Sequence, residues 1–433
     1  MTVPIRVAVV GLGTAGAAAA RACARAGLRV VGVERGPLDQ AGARWVNGVP
    51  RWTFAQGDLA DPVAPELRGA EAPFHLVGGW GPERVTLGSA LEVDMRHLVA
   101  RLQREAREAG AELRGDVRDV HTDGARLVVD GEVVEADVWV DASGLVGLAL
   151  LGQPAVPPDH LCTAAQQVHA LRDRAGADRF LEAWGARDGE VVCFSGVAGG
   201  YSIVNVRVEG DEVGLLTGSL PGQPARHASG PALLRQFVAD HPWIGEPVFG
   251  GARAIPVRRA LECVGRGHVA LIGDAACQVY PAHGSGVGMQ LVAARLLAEA
   301  LASGRGPWAY NVAWQRAHGG LLAASDLFRR FSAGLDADDV RALMRRGVLS
   351  PGLMGDAMVQ RPVRPPPAAV ARAAAGLAAL PRLAAGLAPV LARMSAVEAW
   401  YRRYPQDPAA LPTWADRLAQ ISGQPAWTGA TPR

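Results

Sequence analysis

The sequence contains few cysteines, and they follow no metal-binding or disulfide pattern. Its five cysteines are scattered along the chain without a Cys-x-x-Cys pair. A disulfide scaffold or a zinc cluster needs an even framework or closely spaced pairs, so both are disfavoured. Scattered single cysteines are typical of a reducing compartment, and we expect the protein to be cytoplasmic.

The chain also lacks an excess of either charge. Its 44 basic and 42 acidic side chains leave a formal net charge of +2 at pH 7. A nearly neutral protein has no strong field that would concentrate nucleic acid or an anionic membrane at its surface. We therefore expect no nucleic-acid partner, and a membrane partner is disfavoured.

No apolar run has the form of a signal peptide or a membrane-spanning helix. The first run, 5–10, enters a glycine loop without a cleavage site and is interpreted as a strand. The Ala- and Leu-rich segment 368–394 contains Arg372, Arg382, Arg393 and two prolines, which disfavour a spanning helix. A packed helical hairpin is preferred there; a helix that lies on a membrane or lines an apolar tunnel is the alternative.

The order of patterns along the chain predicts an α/β protein. With 49% apolar side chains it can bury a large core, and its length predicts two or three domains. Segments 5–10, 14–26 and 28–34 have a strand, helix, strand pattern. Alternating segments typical of an antiparallel sheet follow over 161–220, and the pattern beyond residue 322 is helical.

The first motif lies directly after the first strand, where residues 11–16 read GLGTAG and open a helix. Glycines at this spacing allow a tight turn, close approach of the backbone to a pyrophosphate, and close packing of helix on strand. Free N–H groups at the helix N-terminus bind phosphate, and a carboxylate about 20 residues further on accepts the adenosine ribose hydroxyls. The predicted dinucleotide-binding residues are Gly11, Gly13, Thr14, Ala15, Gly16 and Glu34.

A second glycine-rich segment distinguishes FAD from NAD. Residues 270–289 read ALIGDAACQVYPAHGSGVGM, so Asp274 ends a strand just before another glycine-rich helix start. FAD is long enough to need both segments: Asp274 can accept hydrogen bonds from the ribityl hydroxyls, and backbone N–H groups can face the flavin pyrimidine edge. The alternative is a strand capped by Asp before a buried helix. The predicted flavin-binding residues are Asp274, Gly286, Val287, Gly288 and Met289.

These motifs resemble the FAD-dependent oxidoreductases that include para-hydroxybenzoate hydroxylase, geranylgeranyl reductases and flavin-dependent halogenases. The likeness covers roughly residues 5–320 and rests on the GLGTAG loop with Glu34-Arg35, the DASG strand end at 141–144 and the GDAAxxxxPxxGxG segment at 273–286. It implies that the cofactor site also includes Arg35, Pro281, Gly284 and Arg44. Arg44 matches the spacing of an arginine that holds the cofactor in the hydroxylases, with a surface arginine as the alternative.

The resemblance implies an α/β fold in which a Rossmann-like FAD-binding domain of the glutathione-reductase type carries an inserted antiparallel β-sheet substrate domain and a C-terminal helical region. The expected parts of the FAD-binding domain are 1–75, 76–160 and 256–325. Residues 161–255 are expected to form the substrate domain, and 326–433 the helical region.

The chain departs from each branch of this family. Relatives usually have Arg or Gln at a helix start where this chain has Met95, followed by Arg96. The WxWxIP motif of the halogenases and the YxWxFP motif of the geranylgeranyl reductases are absent from the sequence. No single branch is therefore matched.

His283 is the predicted catalytic residue. It lies between Pro281 and Gly284, on the segment expected to pass the isoalloxazine, where it could donate a proton or orient substrate near neutral pH. A histidine bonded to backbone carbonyls is the alternative. Cys277, at a position where many relatives have histidine, is interpreted as a packed small hydrophobe.

No second strand–GxGxxG–helix unit is present for a nicotinamide cofactor, which disfavours disulfide reductases with two dinucleotide domains. NAD(P)H docking transiently in the flavin cleft, or a separate reductase, must then supply electrons. The leading hypothesis is a hydroxylase-type monooxygenase acting on a small apolar or aromatic substrate. The alternatives are a reductase or dehydrogenase of an isoprenoid-like or natural-product substrate, a non-redox cyclase, and a flavoprotein that acts on a macromolecular partner.

Overall fold

The structure is a computed structural model that describes residues 5–88, 90–123, 126–222 and 227–429. Within these ranges the chain forms 19 strands and 13 α-helices. The strands are β1 (Arg6–Val10), β2 (Arg29–Val33), β3 (Val46–Val49), β4 (Leu67–Gly69), β5 (Phe74–Gly78), β6 (Arg84–Leu87), β7 (Leu91–Asp94), β8 (Glu112–Arg114), β9 (Val120–Asp123), β10 (Arg126–Val129), β11 (Glu132–Val134), β12 (Val138–Asp141), β13 (Leu161–Leu171), β14 (Val191–Ser195), β15 (Ser202–Glu209), β16 (Glu212–Ser219), β17 (Ile244–Pro256), β18 (Gly265–Arg266) and β19 (Val269–Leu271). The helices are α1 (Thr14–Arg25), α2 (Trp52–Gln56), α3 (Met95–Glu108), α4 (Arg174–Trp184), α5 (Gly230–Asp240), α6 (Val287–Ala302), α7 (Gly306–Trp314), α8 (Gly320–Ser332), α9 (Ala337–Arg345), α10 (Pro351–Met358), α11 (Pro367–Ala378), α12 (Pro381–Tyr401) and α13 (Leu411–Ser422).

A six-stranded sheet in the order β18-β19-β12-β1-β2-β8 supports the two glycine-rich segments. Its pairs are parallel except β18 with β19. Parallel strands need cover on their faces, and α1 supplies it with a sequence rich in alanine, the best helix former and a small side chain. Helices α3 and α6 pack against α1 in turn. The carboxyl ends of β1, β2, β12 and β19 lie at one edge of this sheet, where open α/β sheets bind ligands.

A seven-stranded sheet in the order β17-β13-β16-β15-β14-β5-β6 forms the second large layer. Its pairs are antiparallel except β14 with β5, which are parallel. An apolar core that includes Phe180, Phe194, Phe237 and Trp243 lies between this sheet and the helices α4 and α5. Strands β5 and β6 of this sheet come before residue 161 in the chain. The division into domains stays a prediction.

The chain beyond residue 320 is helical as far as the structure describes it. Helices α8 and α12 pack along each other, and Tyr401, Tyr404 and Trp414 are buried in the cluster beneath them. Among the described helices, none is both long and apolar enough to cross a membrane. The predicted α/β class, with parallel and antiparallel sheets and a helical C-terminal region, is confirmed.

Candidate flavin site

Residues 11–16 connect β1 to α1 in a turn that leaves no room for a side chain at Gly11 or Gly16. Gly11 has a φ of +91°, and a Cβ there would overlap the carbonyl oxygen of Ala142. A Cβ on Gly16 would overlap the carbonyl oxygen of Gly11. Only glycine adopts this backbone at so close an approach, so the turn holds the start of α1 against the strand end at 141–144.

The N-terminus of α1 is open to an anion. The helix begins after Gly13, which has no side chain to cap it. The N–H groups of Thr14, Ala15 and Gly16 have no partner within a helix, and the dipole makes this end positive. A Cβ on Gly13 would lie 3.1 Å from the Cα of Gly42, so a second loop packs directly against the helix start.

Glu34 lies beside this turn, at the end of β2. Its Oε2 accepts a hydrogen bond from the Leu12 N–H at 2.7 Å, and its Oε1 accepts one from the Arg35 N–H at 3.0 Å. A carboxylate has about four lone-pair sites, so acceptor capacity remains for ribose hydroxyls. The side chain of Arg35 is exposed, and Arg44 Nη1 donates to the Asp39 carbonyl at 2.5 Å. Within the described residues, neither guanidinium donates a hydrogen bond to the glycine turn.

The second glycine-rich segment meets the first at the start of α1. A Cβ on Gly273 would lie 2.6 Å from the Cβ of Ala15, because a 3₁₀ turn, Gly273–Ala276, packs directly on the helix. Asp274 in this turn accepts a hydrogen bond from Gln290 Nε2 of α6 at 3.3 Å. The predicted phosphate-binding turn and the predicted ribityl-binding carboxylate are therefore adjacent.

Asp274 is poorly solvated for a carboxylate. Burial raises its pKa to about 6, and the positive charge of Arg253 offsets part of this effect. Helix α6 begins just after Gly286, which again has no side chain to cap the helix. A carboxylate whose one hydrogen bond comes from Gln290, together with two open helix N-termini, presents the groups that the hydroxyls and phosphates of a dinucleotide would satisfy. The residues present therefore fit FAD.

Replacing Asp274 by asparagine should stabilise the FAD-free protein above pH 6 and change little near pH 4. The pKa of this carboxyl is about 6 when folded against 3.8 unfolded, so ionisation begins to disfavour folding above the unfolded value and does so fully above the folded one. Asparagine cannot ionise. Thermal unfolding of both FAD-free proteins across this range measures the effect, and a Tm difference that fails to grow from pH 4 to pH 7 contradicts it.

The segment 281–286 lies between β3 and the seven-stranded sheet. Ser285 Oγ donates to the carbonyl oxygen of Gly48 at 3.2 Å. On the other side, a Cβ on Gly284 would lie 3.5 Å from the hydroxyl of Tyr201 and 3.7 Å from a methyl group of Val257. The loop predicted to pass the isoalloxazine is thus faced by one phenol and by apolar side chains.

The remaining predicted residues of this segment are mostly buried. Pro281, Val287 and Met289 lie in the interior, so their backbone rather than their side chains would face a ligand. A Cβ on Gly288 would lie 2.7 Å from the side chain of Thr53, which lets α6 pack closely on α2.

His283 is turned toward α10. Its Nε2 lies 3.2 Å from the carbonyl oxygen of Ala357, and its ring lies 4.7 Å from that of Tyr280. Burial lowers the pKa of His283 to about 4, so the imidazole is neutral at pH 7 and donates its Nε2 proton to that carbonyl. Its catalytic role stays a prediction.

Sequence reasoning missed the contact that α3 makes with the glycine turn. Met95 is fully buried, and Arg96 pairs with Asp94 and lies 3.6 Å over the ring of Phe249. The contact comes instead from Gln103, whose Nε2 donates to the Leu12 carbonyl at 3.1 Å. No motif marks this glutamine; its only signal is a polar residue on the buried face of an amphipathic helix.

The fold and this site define a Rossmann-type FAD-dependent oxidoreductase. The chain is 30% identical over 382 residues to the digeranylgeranylglycerophospholipid reductase of Methanothrix thermoacetophila, an alignment that covers 78% of this chain and 90% of that protein. The chain belongs to the family of these reductases. Comparison with models of known protein families found no match.

Two solved structures show the same fold at low sequence identity. A geranylgeranyl bacteriochlorophyll reductase-like protein from Thermoplasma acidophilum superposes with a TM-score of 0.67 at 17% identity, covering 88% of this chain and 100% of that one. The tetrameric form of 2-methyl-3-hydroxypyridine-5-carboxylic acid oxygenase superposes with a TM-score of 0.57 at 21% identity, covering 84% and 100%. Reductases and oxygenases thus share this architecture.

Proposed function

We propose that the protein is an FAD-dependent reductase that saturates carbon–carbon double bonds in the prenyl chains of a lipid. The observation that carries this proposal is the kinship with the digeranylgeranylglycerophospholipid reductases, because alkenes are the only reducible groups of a geranylgeranyl chain. The monooxygenase favoured by the sequence alone becomes the second candidate, supported by the shared fold of the oxygenase.

Alkene reduction needs one hydride and one proton. The glycine turn at 11–16 and Asp274 would hold FAD, which would supply the hydride once NAD(P)H or a separate reductase had reduced it. The protein must hold the alkene beside the segment 281–286, exclude water and provide the proton. The apolar side chains of Ile255 and Val257 face Gly284 and suit a hydrocarbon chain.

Tyr201 is the proposed proton donor. Its hydroxyl is directed at Gly284 and makes no hydrogen bond within the described part of the chain. Burial raises the pKa of Tyr201 well above its usual value, so the phenol keeps its proton at neutral pH. His283 already donates its proton to the Ala357 carbonyl, and we propose that it positions α10 over the site.

Turnover of a lipid with geranylgeranyl chains tests this function. Holoprotein reduced with dithionite under anaerobic conditions should add two hydrogen atoms to each double bond that it reduces, and mass spectrometry detects this gain in mass. Reactions without reductant are the control. Aerobic reactions with NADPH cover the second candidate. A product that gains one oxygen atom, with no hydrogen added anaerobically, would favour the monooxygenase and overturn the reductase.

A further inference from the structure

One stretch of the C-terminal region is strongly asymmetric in charge. Residues 359–396, here called the C-terminal arm, contain five arginines and no acidic residue. The whole chain is nearly neutral, with 44 basic and 42 acidic side chains. The arm therefore has a local excess of positive charge that the net charge of the chain does not reveal. The arm contains α11 and most of α12.

The charges of the arm are directed into solvent. All five guanidinium groups belong to exposed residues: Arg361, Arg364, Arg372, Arg382 and Arg393. Arg382 pairs with Asp339. The other four form no ion pair with any residue that the structure describes, and they are therefore free to bind anions.

The arm also exposes apolar side chains. Val363, Val370 and Leu391 are 42%, 46% and 45% exposed, and the neighbouring exposed positions are largely alanine. From residue 367 to 396 the only uncharged polar side chain is Ser395. Exposed cations around exposed aliphatic groups are the combination by which a helix lies at a bilayer surface.

The arm is continuous with the candidate flavin site. Trp52 Nε1 donates to the carbonyl oxygen of Val359 at 2.7 Å, and the Arg361 guanidinium lies 5.8 Å from the centre of the Trp52 ring. Two residues earlier, the Ala357 carbonyl accepts the hydrogen bond of His283. A partner bound to the arm would therefore lie next to segment 281–286, which is predicted to pass the flavin.

We propose that the C-terminal arm docks on the surface of an anionic lipid bilayer. Arg361, Arg364, Arg372 and Arg393 bind phosphate-bearing headgroups, and Val363, Val370 and Leu391 enter the boundary between headgroups and acyl chains. This is the membrane-surface alternative for segment 368–394. The docking does not depend on the proposed reaction, since it is measured without substrate.

Co-sedimentation with vesicles tests the docking. The holoprotein should bind vesicles of equimolar phosphatidylglycerol and phosphatidylcholine, bind pure phosphatidylcholine weakly, and dissociate in high salt. The triple variant R364E/R372E/R393E should lose on the order of 100-fold in partition, because each of the three arginines contributes roughly fivefold near an anionic surface.

The matched control is the variant R107E/R118E/R235E, which changes the net charge equally at exposed arginines that form no ion pair in the described structure. It should stay within about twofold of the wild type, apart from the small effect of net charge. Equal loss of binding in both triple variants, or no binding of the wild type to anionic vesicles, would overturn the proposal.

Site-specific fluorescence separates insertion from simple charge attraction. All five native cysteines are buried, so a single new surface cysteine can be labelled selectively. An environment-sensitive dye at V370C or L391C should shift to the blue when anionic vesicles are added. The same dye at V63C, where the native valine is 73% exposed outside the arm, should not shift; equal shifts at both places would overturn the proposal.

Discussion

Replacing Gly13 by valine should leave a folded protein that no longer retains FAD. A Cβ at this position already lies 3.1 Å from the Gly42 backbone, and the two methyl groups of valine would push that loop and the phosphate-binding turn apart. Loss of two charge-assisted hydrogen bonds at about 1.5 kcal/mol each weakens binding by on the order of 100-fold. The flavin-to-protein absorbance ratio of the purified variant measures this.

The control for this variant is Gly251→Val. A Cβ on Gly251 would meet nothing within 4 Å, and the residue lies in β17, where valine is favoured. This variant should keep its FAD. If Gly13→Val keeps full flavin, or if both variants lose it equally, the assignment of the 11–16 turn to phosphate binding is wrong.

Replacing Tyr201 by phenylalanine should slow alkene reduction by roughly 100-fold or more, the range expected when a general acid is removed. The change removes only the hydroxyl, so FAD retention and the KM for the lipid should stay near wild-type values. Single-turnover reoxidation of the reduced holoprotein by the lipid, followed at the flavin absorbance, isolates this step. The rate of flavin reduction by dithionite should not change.

Tyr280→Phe is the matched control. Its hydroxyl is bonded to Ser325 and the ring is buried beside His283, so this variant removes a neighbouring phenol that is not directed at Gly284. It should reduce the rate by much less than Tyr201→Phe. Equal effects of the two substitutions would show that the phenols act through packing, and an unchanged rate in Tyr201→Phe would remove it as the proton donor.

The parts of the site that could be predicted from the sequence are those set by local sterics. The GLGTAG turn could be predicted because its local backbone geometry requires glycine. For example, a Cβ on Gly16 would overlap the carbonyl oxygen of Gly11. The expectation that Asp274 lies near α1 follows from the length of FAD, which needs both glycine-rich segments, and the structure has Gly273 in contact with Ala15. The binding role of these residues stays a prediction.

Other features depend on contacts that no local pattern encodes. The Tyr201 hydroxyl lies beside Gly284, which is far from it in the chain, and Gln103 of α3 donates to the Leu12 carbonyl. The parallel pairing of β14 with β5 joins strands that are far apart in the chain and gives no signal in either one. Such pairings are decided by the competition among all buried surfaces, so the sequence analysis did not predict the pairing of β14 with β5.

The hydrogen bond from the Leu12 N–H to Glu34 also bears on which nucleotide the pocket accepts. The predicted ribose-binding role of Glu34 would bring its carboxylate close to the 2′ position of the sugar, where a 2′-phosphate would meet a like charge. On that prediction, we expect the end of β2 to disfavour nucleotides that carry a 2′-phosphate. We then expect NADPH, if it is the electron donor, to reach the flavin by a route that does not pass Glu34.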